Sequence, residues 1–193
     1  MKPFVIVLMS LLTVVAALFS ASYLLPVQCD VVRSRVMNAS PDQVYPYLNN
    51  PTEWEKWSVW NKSYDPSMIH MYGGPLTGKG ARLNWSGDKI GDGQIEFTES
   101  VSPTLLRYQQ TIEGDHHETQ GYFSLEKVNG GTRVIWQKHT ALEDNPIARI
   151  EGFLRKKKLE VELEQSLAGL DSVVTAKTGK KGAGAKRYAS NRR

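Results

Sequence analysis

The rhythm of apolar and polar positions changes several times along this chain. From Pro3 to Val27 there is no rhythm: Val, Leu, Ile, Ala and Phe dominate and no side chain is charged. A helix across a bilayer needs about 20 apolar residues, and this run supplies them. A cleavable signal has a shorter apolar region, about 7–15 residues, followed by a small-x-small site. Ser20-Ala21-Ser22 offers such a site, but Tyr23-Leu24-Leu25 carries the apolar character past it. The expectation is a single-pass anchor within residues 1–29, meeting the membrane through 3–27. A secreted or periplasmic protein after cleavage is the alternative. Lys2 flanks one side of the run and Arg33 and Arg35 the other, so the positive-inside bias is nearly balanced. The lean is to a domain outside the cytoplasm.

After the anchor a period of two begins. Val32 and Val36 alternate with Arg33 and Arg35, as in a half-buried strand over Val31–Asn38. Ser40-Pro41-Asp42-Gln43 then reads as a helix start, with Ser40 as cap, Pro41 in the first helical position and Gln43 completing a capping box. Pro46 limits that helix and Asn49-Asn50-Pro51 stops it. Thr52–Trp57 reads as a further short helical turn. From 67 to 141 alternation returns, broken by Gly and Asp turns: Ser67–Gly73, Ala81–Ser86, Gln94–Val101, Leu105–Glu113, Thr119–Lys127 and Thr132–Ala141. With the first strand that makes about seven, joined by connections short enough to demand antiparallel neighbours.

The last rhythm is helical. Ile147, Ile150 and Leu154 are spaced by three and four; after one five-residue step, Leu159, Leu163, Leu167, Leu170 and Val174 resume that spacing. A helix of this length is about 42 Å long at 1.5 Å per residue, and its apolar stripe is expected to lie against the sheet. The architecture is therefore α+β, a curved antiparallel sheet around one long C-terminal helix. The folded domain is expected over 30–176, with a basic disordered tail over 177–193.

Composition changes the picture in one respect. The net charge of +4 conceals a division: residues 1–176 hold all 20 acidic side chains and 17 of the 24 Lys and Arg, a net of −3, and the other seven cations follow. The domain is mildly acidic, so no specific nucleic acid is expected as partner. Only the tail offers a basic surface, to anionic lipid if to anything. A single cysteine, Cys29, allows no internal disulfide.

Four stretches of text resemble one family in order. Ala39-Ser40-Pro41-Asp42-Gln43-Val44 looks like its first strand-to-helix joint, and Asn50-Pro51-Thr52-Glu53-Trp54-Glu55-Lys56-Trp57 like its Asp-Pro…Trp…Trp segment. Gly78-Lys79-Gly80-Ala81…Trp85 with Gly91-Asp92-Gly93 resembles its Gly-rich hairpin, and Gly130-Gly131-Thr132-Arg133-Val134-Ile135-Trp136 its Gly-Gly-Thr-x-Val-x-Trp strand. The family is the START-like or SRPBCC superfamily, in its polyketide cyclase/dehydrase-like branch. The resemblance covers about 31–174. It implies the helix-grip fold and a cavity between sheet and long helix for an apolar or aromatic ligand. It does not imply one chemistry, since members include binders, transporters and a few cyclases.

Candidate ligand-binding residues are the aromatic ones that strand and loop positions would bring to that cavity: Trp57, Trp60, Trp85, Phe97, Tyr108, Tyr122 and Trp136, each with packed core as its rival reading. Trp54 belongs with Trp57 and Trp60, either lining a mouth or plugging the sheet. Asp115-His116-His117-Glu118 has metal-binding residue types but no third partner at suitable spacing, and reads as a hairpin turn. Gly73-Gly74-Pro75-Leu76-Thr77-Gly78-Lys79 nearly matches a phosphate loop, but Gly80 stands where a hydroxyl is needed and a strand follows in place of a helix. His139 with Glu143 or Asp144 has the types of a general base and its orienter, without a nucleophile in the pattern. Arg155-Lys156-Lys157-Lys158 reads as the solvated side of the long helix. No catalytic residue, metal or cofactor is assigned. The expected function is membrane-tethered binding of a hydrophobic small molecule or lipid. The alternatives are a cyclase/dehydratase-type enzyme, with ionisable groups converging in the cavity, and an interaction module with no cavity.

Overall fold

The computed structural model describes the backbone of residues 3–115 and 117–190, and side chains as far as Thr178. A 20-residue apolar helix, α1 (Pro3–Ser22), leads into strand β1 (Gln28–Met37). Helix α2 (Pro41–Leu48) and a 3₁₀ turn (Pro51–Lys56) follow. Then come β2 (Ile69–Gly73), β3 (Arg82–Ser86), β4 (Gly93–Val101), β5 (Leu105–Ile112), β6 (Thr119–Val128), β7 (Gly131–Ala141) and the last helix, α3 (Pro146–Ser190). The strands form one curved sheet in the order β1-β7-β6-β5-β4-β3-β2, every pair antiparallel, as the short connections required.

Local chemistry accounts for the joints. The Ser40 N–H donates to Gln43 Oε1 at 2.9 Å, closing the capping box at the start of α2. At the 3₁₀ turn the Asn50 side chain accepts from the Thr52 N–H at 3.0 Å. Strand β1 starts at Gln28, and Cys29 is buried opposite Thr140. The boundary expected between 29 and 30 thus falls inside a paired strand. The near match to a phosphate loop is the β2–β3 turn, with Gly74 and Gly78 at positive φ and no helix after it.

The concave face of the sheet is filled at one end by aromatic rings. Trp54 lies 5.5 Å from Phe97 and from Tyr108, centroid to centroid, and Phe123 lies 4.6 Å from Trp136. Tyr108 and Trp136 meet because Gly121 on the strand between them carries no side chain; a Cβ there would come within 2.1 Å of the Tyr108 ring. The Trp136 indole N–H then donates to the Tyr108 hydroxyl at 2.7 Å. Leu163, Leu167, Leu170 and Val174 of α3 close this core from above, each essentially inaccessible. Helix α3 seats so closely that a Cβ on Gly169 would approach the Trp57 carbonyl oxygen to 2.3 Å.

One expectation about α3 is corrected. Ile147, Ile150 and Leu154, placed by spacing on the buried stripe, are 59%, 37% and 65% exposed. The five-residue step from Leu154 to Leu159 explains the difference. At about 100° per residue it turns the stripe by roughly 140°, so the two runs face different directions. Only the second run lies on the sheet.

Trp136→Ala removes a ring packed on all sides and is expected to cost roughly 3–5 kcal/mol in denaturant melts. Gly169→Val drives two methyl groups toward the Trp57 backbone and is expected to cost roughly 1–3 kcal/mol. A Gly169→Val protein as stable as wild type would mean that α3 does not seat there.

Candidate functional site

The other end of the concave face is open. A cavity of about 490 Å³ lies between the sheet and the first half of α3, walled by the loops around Trp60 and Ile90 and by the β5–β6 turn. An interaction module without a cavity is therefore corrected. Helix α3 supplies Glu151, Arg155, Lys158 and Glu162, spaced by four, three and four, so that one face of the helix lines the site. Arg155 and Lys158 thus do more than coat a solvated side, whereas Lys156 and Lys157 are exposed as expected.

At the floor stands a residue not singled out in the sequence. Lys138 on β7 is 1% exposed. It follows Val134 and Trp136 by the same two-residue step, which puts it on the inward face. Its Nζ donates to Gln110 Oε1 at 2.9 Å, a bond reaching diagonally across β6, where Lys138 pairs with Gly121 and Gln110 with Thr119. The same Nζ lies 4.0 Å from the centre of the Trp60 ring, which in turn stacks on Trp85 at 6.3 Å. Burial drives the Lys138 ammonium down to about 7, with the Glu162 carboxylate opposing. The Gln110 carbonyl and the Trp60 face also favour the charged form. Among the described residues no carboxylate lies within ion-pairing distance of it; Glu162 pairs at 3.8 Å with Lys158 on its own helix.

A second polar group is unsatisfied. The buried Trp85 indole N–H has no acceptor among the described residues, and Trp85 is one of the residues lining the cavity. A buried donor left this way costs about 1–3 kcal/mol unless something accepts from it. Trp60, Trp85, Ile90, Ile112 and Leu159 give the cavity an apolar part, while the charged face of α3 with Lys89, Glu113, Asp115 and His117 lines the rest.

The mouth is bridged. Arg155 of α3 donates to Asp115 Oδ2 at 2.6 Å, and Asp115 Oδ1 pairs with His117 Nδ1 at 2.8 Å. The other His117 nitrogen, Nε2, accepts from the Glu143 N–H at 3.2 Å. Burial opposes ionisation of Asp115, but the hydrogen bonds from His117 and Arg155 outweigh it and hold the carboxyl below its ordinary range. His117 is thus a turn residue, His116 lies outside the described residues, and among the described residues no group of three metal-ligating side chains gathers. The wall loop is fixed by Asp65. Its carboxylate accepts from the Ser67 hydroxyl at 2.6 Å and from the N–H groups of Ser67, Lys89 and Ile90, which hold it at about 2.

Of the residues read as ligand contacts, Trp60 and Trp85 line the cavity. Trp57, Phe97, Tyr108 and Trp136 belong to the filled aromatic end and do not reach it. Trp54 and Trp57 each spend the indole N–H on a backbone carbonyl, of Leu48 at 2.7 Å and of Tyr47 at 3.0 Å. Tyr122 points away from the cavity, its hydroxyl donating to Gln137 at 2.7 Å and its ring under Arg107. Phe123 faces inward, so its neighbour on the strand must face outward. His139 pairs with Asp30 across β1 at 2.6 Å, not with Glu143 or Asp144.

Comparison with known proteins agrees with this geometry. Residues 28–175 match a family described as polyketide cyclase/dehydrase and lipid transport. No curated protein matches the chain. Among solved structures, protein MLL2253 from Mesorhizobium loti is similar at a TM-score of 0.58 and 16% identity, covering 76% of this chain and 97% of that one. A Rhodobacter sphaeroides protein is similar at 0.56 and 20% identity, covering 77% and 93%. Protein CV1439 from Chromobacterium violaceum is similar at 0.56 and 15% identity, covering 76% and 96%. At these identities the likeness shows the fold alone.

A lysine whose ammonium is held near pH 7 in the folded state, but about 10.4 when unfolded, binds fewer protons folded than unfolded between those values. Stability therefore rises as pH climbs from about 7 to 10. Lys138→Met, which removes the buried charge, is expected to be more stable than wild type by roughly 2–4 kcal/mol at pH 6. The advantage should fade by pH 10, where the wild-type amine is neutral. Thermal or urea unfolding of both proteins across this range measures it; a pH-independent difference would mean that Lys138 holds its proton in the folded protein as tightly as in the unfolded chain.

Proposed function

Because the chain belongs to the polyketide cyclase/dehydrase and lipid transport family, we propose that its domain binds a small amphipathic molecule beside a membrane. The observation that carries this reading is the 490 Å³ cavity, in which an apolar part formed by Trp60, Trp85, Ile90 and Leu159 meets charged side chains of α3 and the buried Lys138 and Gln110. Sites for small molecules are mostly apolar with a few placed polar groups that set orientation. The apolar body of the ligand would lie along Trp60, Ile90 and Leu159. A head rich in hydrogen-bond acceptors would meet Lys138 and Trp85.

The membrane part of the proposal rests on α1 and on its junction with α3. Helix α1 is long and apolar enough to cross a bilayer, and no part of its apolar span is buried against the domain; an N-terminal signal sequence passes the same test. Arg149, near the start of α3, donates to the Tyr23 and Leu25 carbonyls at 2.7 and 2.6 Å. That contact places the exit of the apolar helix next to the half of α3 that lines the cavity. The exposed stripe Ile147, Ile150 and Leu154 runs along the same half, about 40–100° around the helix from Glu151. An apolar stripe between membrane and mouth suits a ligand that leaves the bilayer sideways.

A cyclase/dehydratase-type enzyme remains the second reading, favoured by one observation, the ionisable Lys138 inside the cavity.

Two measurements test the proposal. Full-length protein should stay with membranes in carbonate, whereas a chain starting at Val27, which keeps β1 whole, should be soluble and folded. That shorter chain should bind an environment-sensitive apolar dye and release it to fatty acids. Trp60→Ala should weaken dye binding about tenfold, or 1.4 kcal/mol, and lower the melting temperature without abolishing folding, because the half-buried ring stacks on Trp85 and covers Lys138. A wild-type domain that folds but takes up no dye or fatty acid would reject the binder.

A further inference from the structure

We infer that Lys138 is a carbonyl-reactive amine, forming an imine with an aldehyde or ketone group on a largely apolar molecule held in the cavity. The inference rests on the cavity being a ligand site and adds to it a covalent step and a substrate class.

The surroundings of Lys138 are unlike those of a structural lysine. Buried lysines are ordinarily paired with a carboxylate, since an unpaired charge away from water is costly. Here the only hydrogen-bond partner among the described residues is the neutral Gln110 amide, at 2.9 Å, and the aromatic faces beside it are Trp60 at 4.0 Å and Trp136 at 5.5 Å. Glu162, the carboxylate that opposes the effect of burial, is paired with Lys158 at 3.8 Å. Such a site leaves a large share of the amine unprotonated at neutral pH, the form that attacks carbonyl carbon. Gln110 orients the nitrogen through one N–H and leaves its lone pair free. Lys138 is one of the residues lining the cavity and is screened from bulk water, which would protect an imine from hydrolysis.

The reaction needs no other reagent. The Lys138 nitrogen lone pair forms a bond to the carbonyl carbon while the C=O π pair moves to oxygen. A proton passes from nitrogen to that oxygen, giving a carbinolamine. The C–O bond then breaks, the second nitrogen proton leaves with the hydroxyl as water, and nitrogen and carbon form the double bond. Amine plus carbonyl becomes imine plus water. Trp85, whose buried indole N–H has no acceptor among the described residues, lines the same cavity.

The test uses the full-length chain in detergent, incubated at pH 7 with decanal and sodium cyanoborohydride, which reduces an imine to a stable secondary amine. Peptide mapping by mass spectrometry is expected to place the alkyl adduct on Lys138 at least about tenfold faster than on the exposed Lys62 and Lys127. Lys138→Arg, which keeps the charge and length, should lose that fast adduct while the slow background persists. Native mass spectrometry of the same protein with decanoic acid, which cannot form an imine, reads non-covalent occupancy separately. Occupancy by the acid with labelling spread evenly over exposed lysines would overturn the imine and leave the binder standing. No occupancy and no preferred labelling would overturn both. Fast labelling that survives Lys138→Arg would also reject the assignment.

Discussion

A single helix must cover the concave face of a seven-stranded sheet, and it can press against only part of it. Everything distinctive in this molecule follows from where α3 makes that contact. Its second half descends to the sheet through Leu163, Leu167, Leu170 and Val174, and Gly169 removes the side chain that would hold it off the Trp57 backbone. Below it the rings of Trp54, Trp57, Phe97, Tyr108, Phe123 and Trp136 fill the space completely. The first half of α3 lines the cavity through Glu151, Arg155, Lys158 and Glu162 and is tied to the edge strand by the Arg33–Glu160 ion pair at 3.0 Å. The filled end is thus the abutment on which the open end depends. Interiors pack like solids, so a cavity of this size persists only beside a core that does not collapse into it.

Much of this could be read from the residues. Alternation located all seven strands, Ser40-Pro41-Gln43 marked the start of α2, and the leucine spacing marked the helix that grips the sheet. The division of the concave face could not be read. Trp57, Phe97, Tyr108 and Trp136 differ from Trp60 and Trp85 in nothing that periodicity records; what separates them is which end of the face α3 covers, a property of tertiary seating. The five-residue step between Leu154 and Leu159 did carry that information, since it is where the apolar stripe turns away from the sheet. Lys138 was legible too. It occupies the inward parity of Val134 and Trp136, but a charged residue late in a strand is easily taken for its frayed, solvated end. Tyr122, between the inward Gly121 and Phe123, shows the same parity rule excluding a residue.

The two ends of the face also divide polar chemistry between them. At the filled end every indole N–H has an acceptor: Leu48 and Tyr47 carbonyls for Trp54 and Trp57, the Tyr108 hydroxyl for Trp136. At the open end the Trp85 N–H has none, and Lys138 has a neutral partner where a carboxylate would be expected. Unsatisfied groups scattered through a core would read as poor packing. Gathered on residues that line one cavity, they are the groups that the proposed ligand would engage.

The energetics of Lys138 support the same view. A methionine at that position would fill similar volume, keep contact with Trp60 and Trp136, and avoid the desolvation that pulls the ammonium down to about 7. Folding alone therefore does not account for the lysine. The surrounding residues compensate only in part: Gln110 and Trp60 favour the charged form without neutralising it, and Glu162 is turned to Lys158. A full ion pair would have made the residue structural and chemically silent. An apolar residue would have made the cavity a plain lipid slot. The arrangement found lies between these, a nitrogen poised between two protonation states at the floor of a cavity that opens beside the exit of an apolar helix. That position suits an amphipathic guest with a polar head, whose acceptor atoms complete the hydrogen bonds that the protein leaves open.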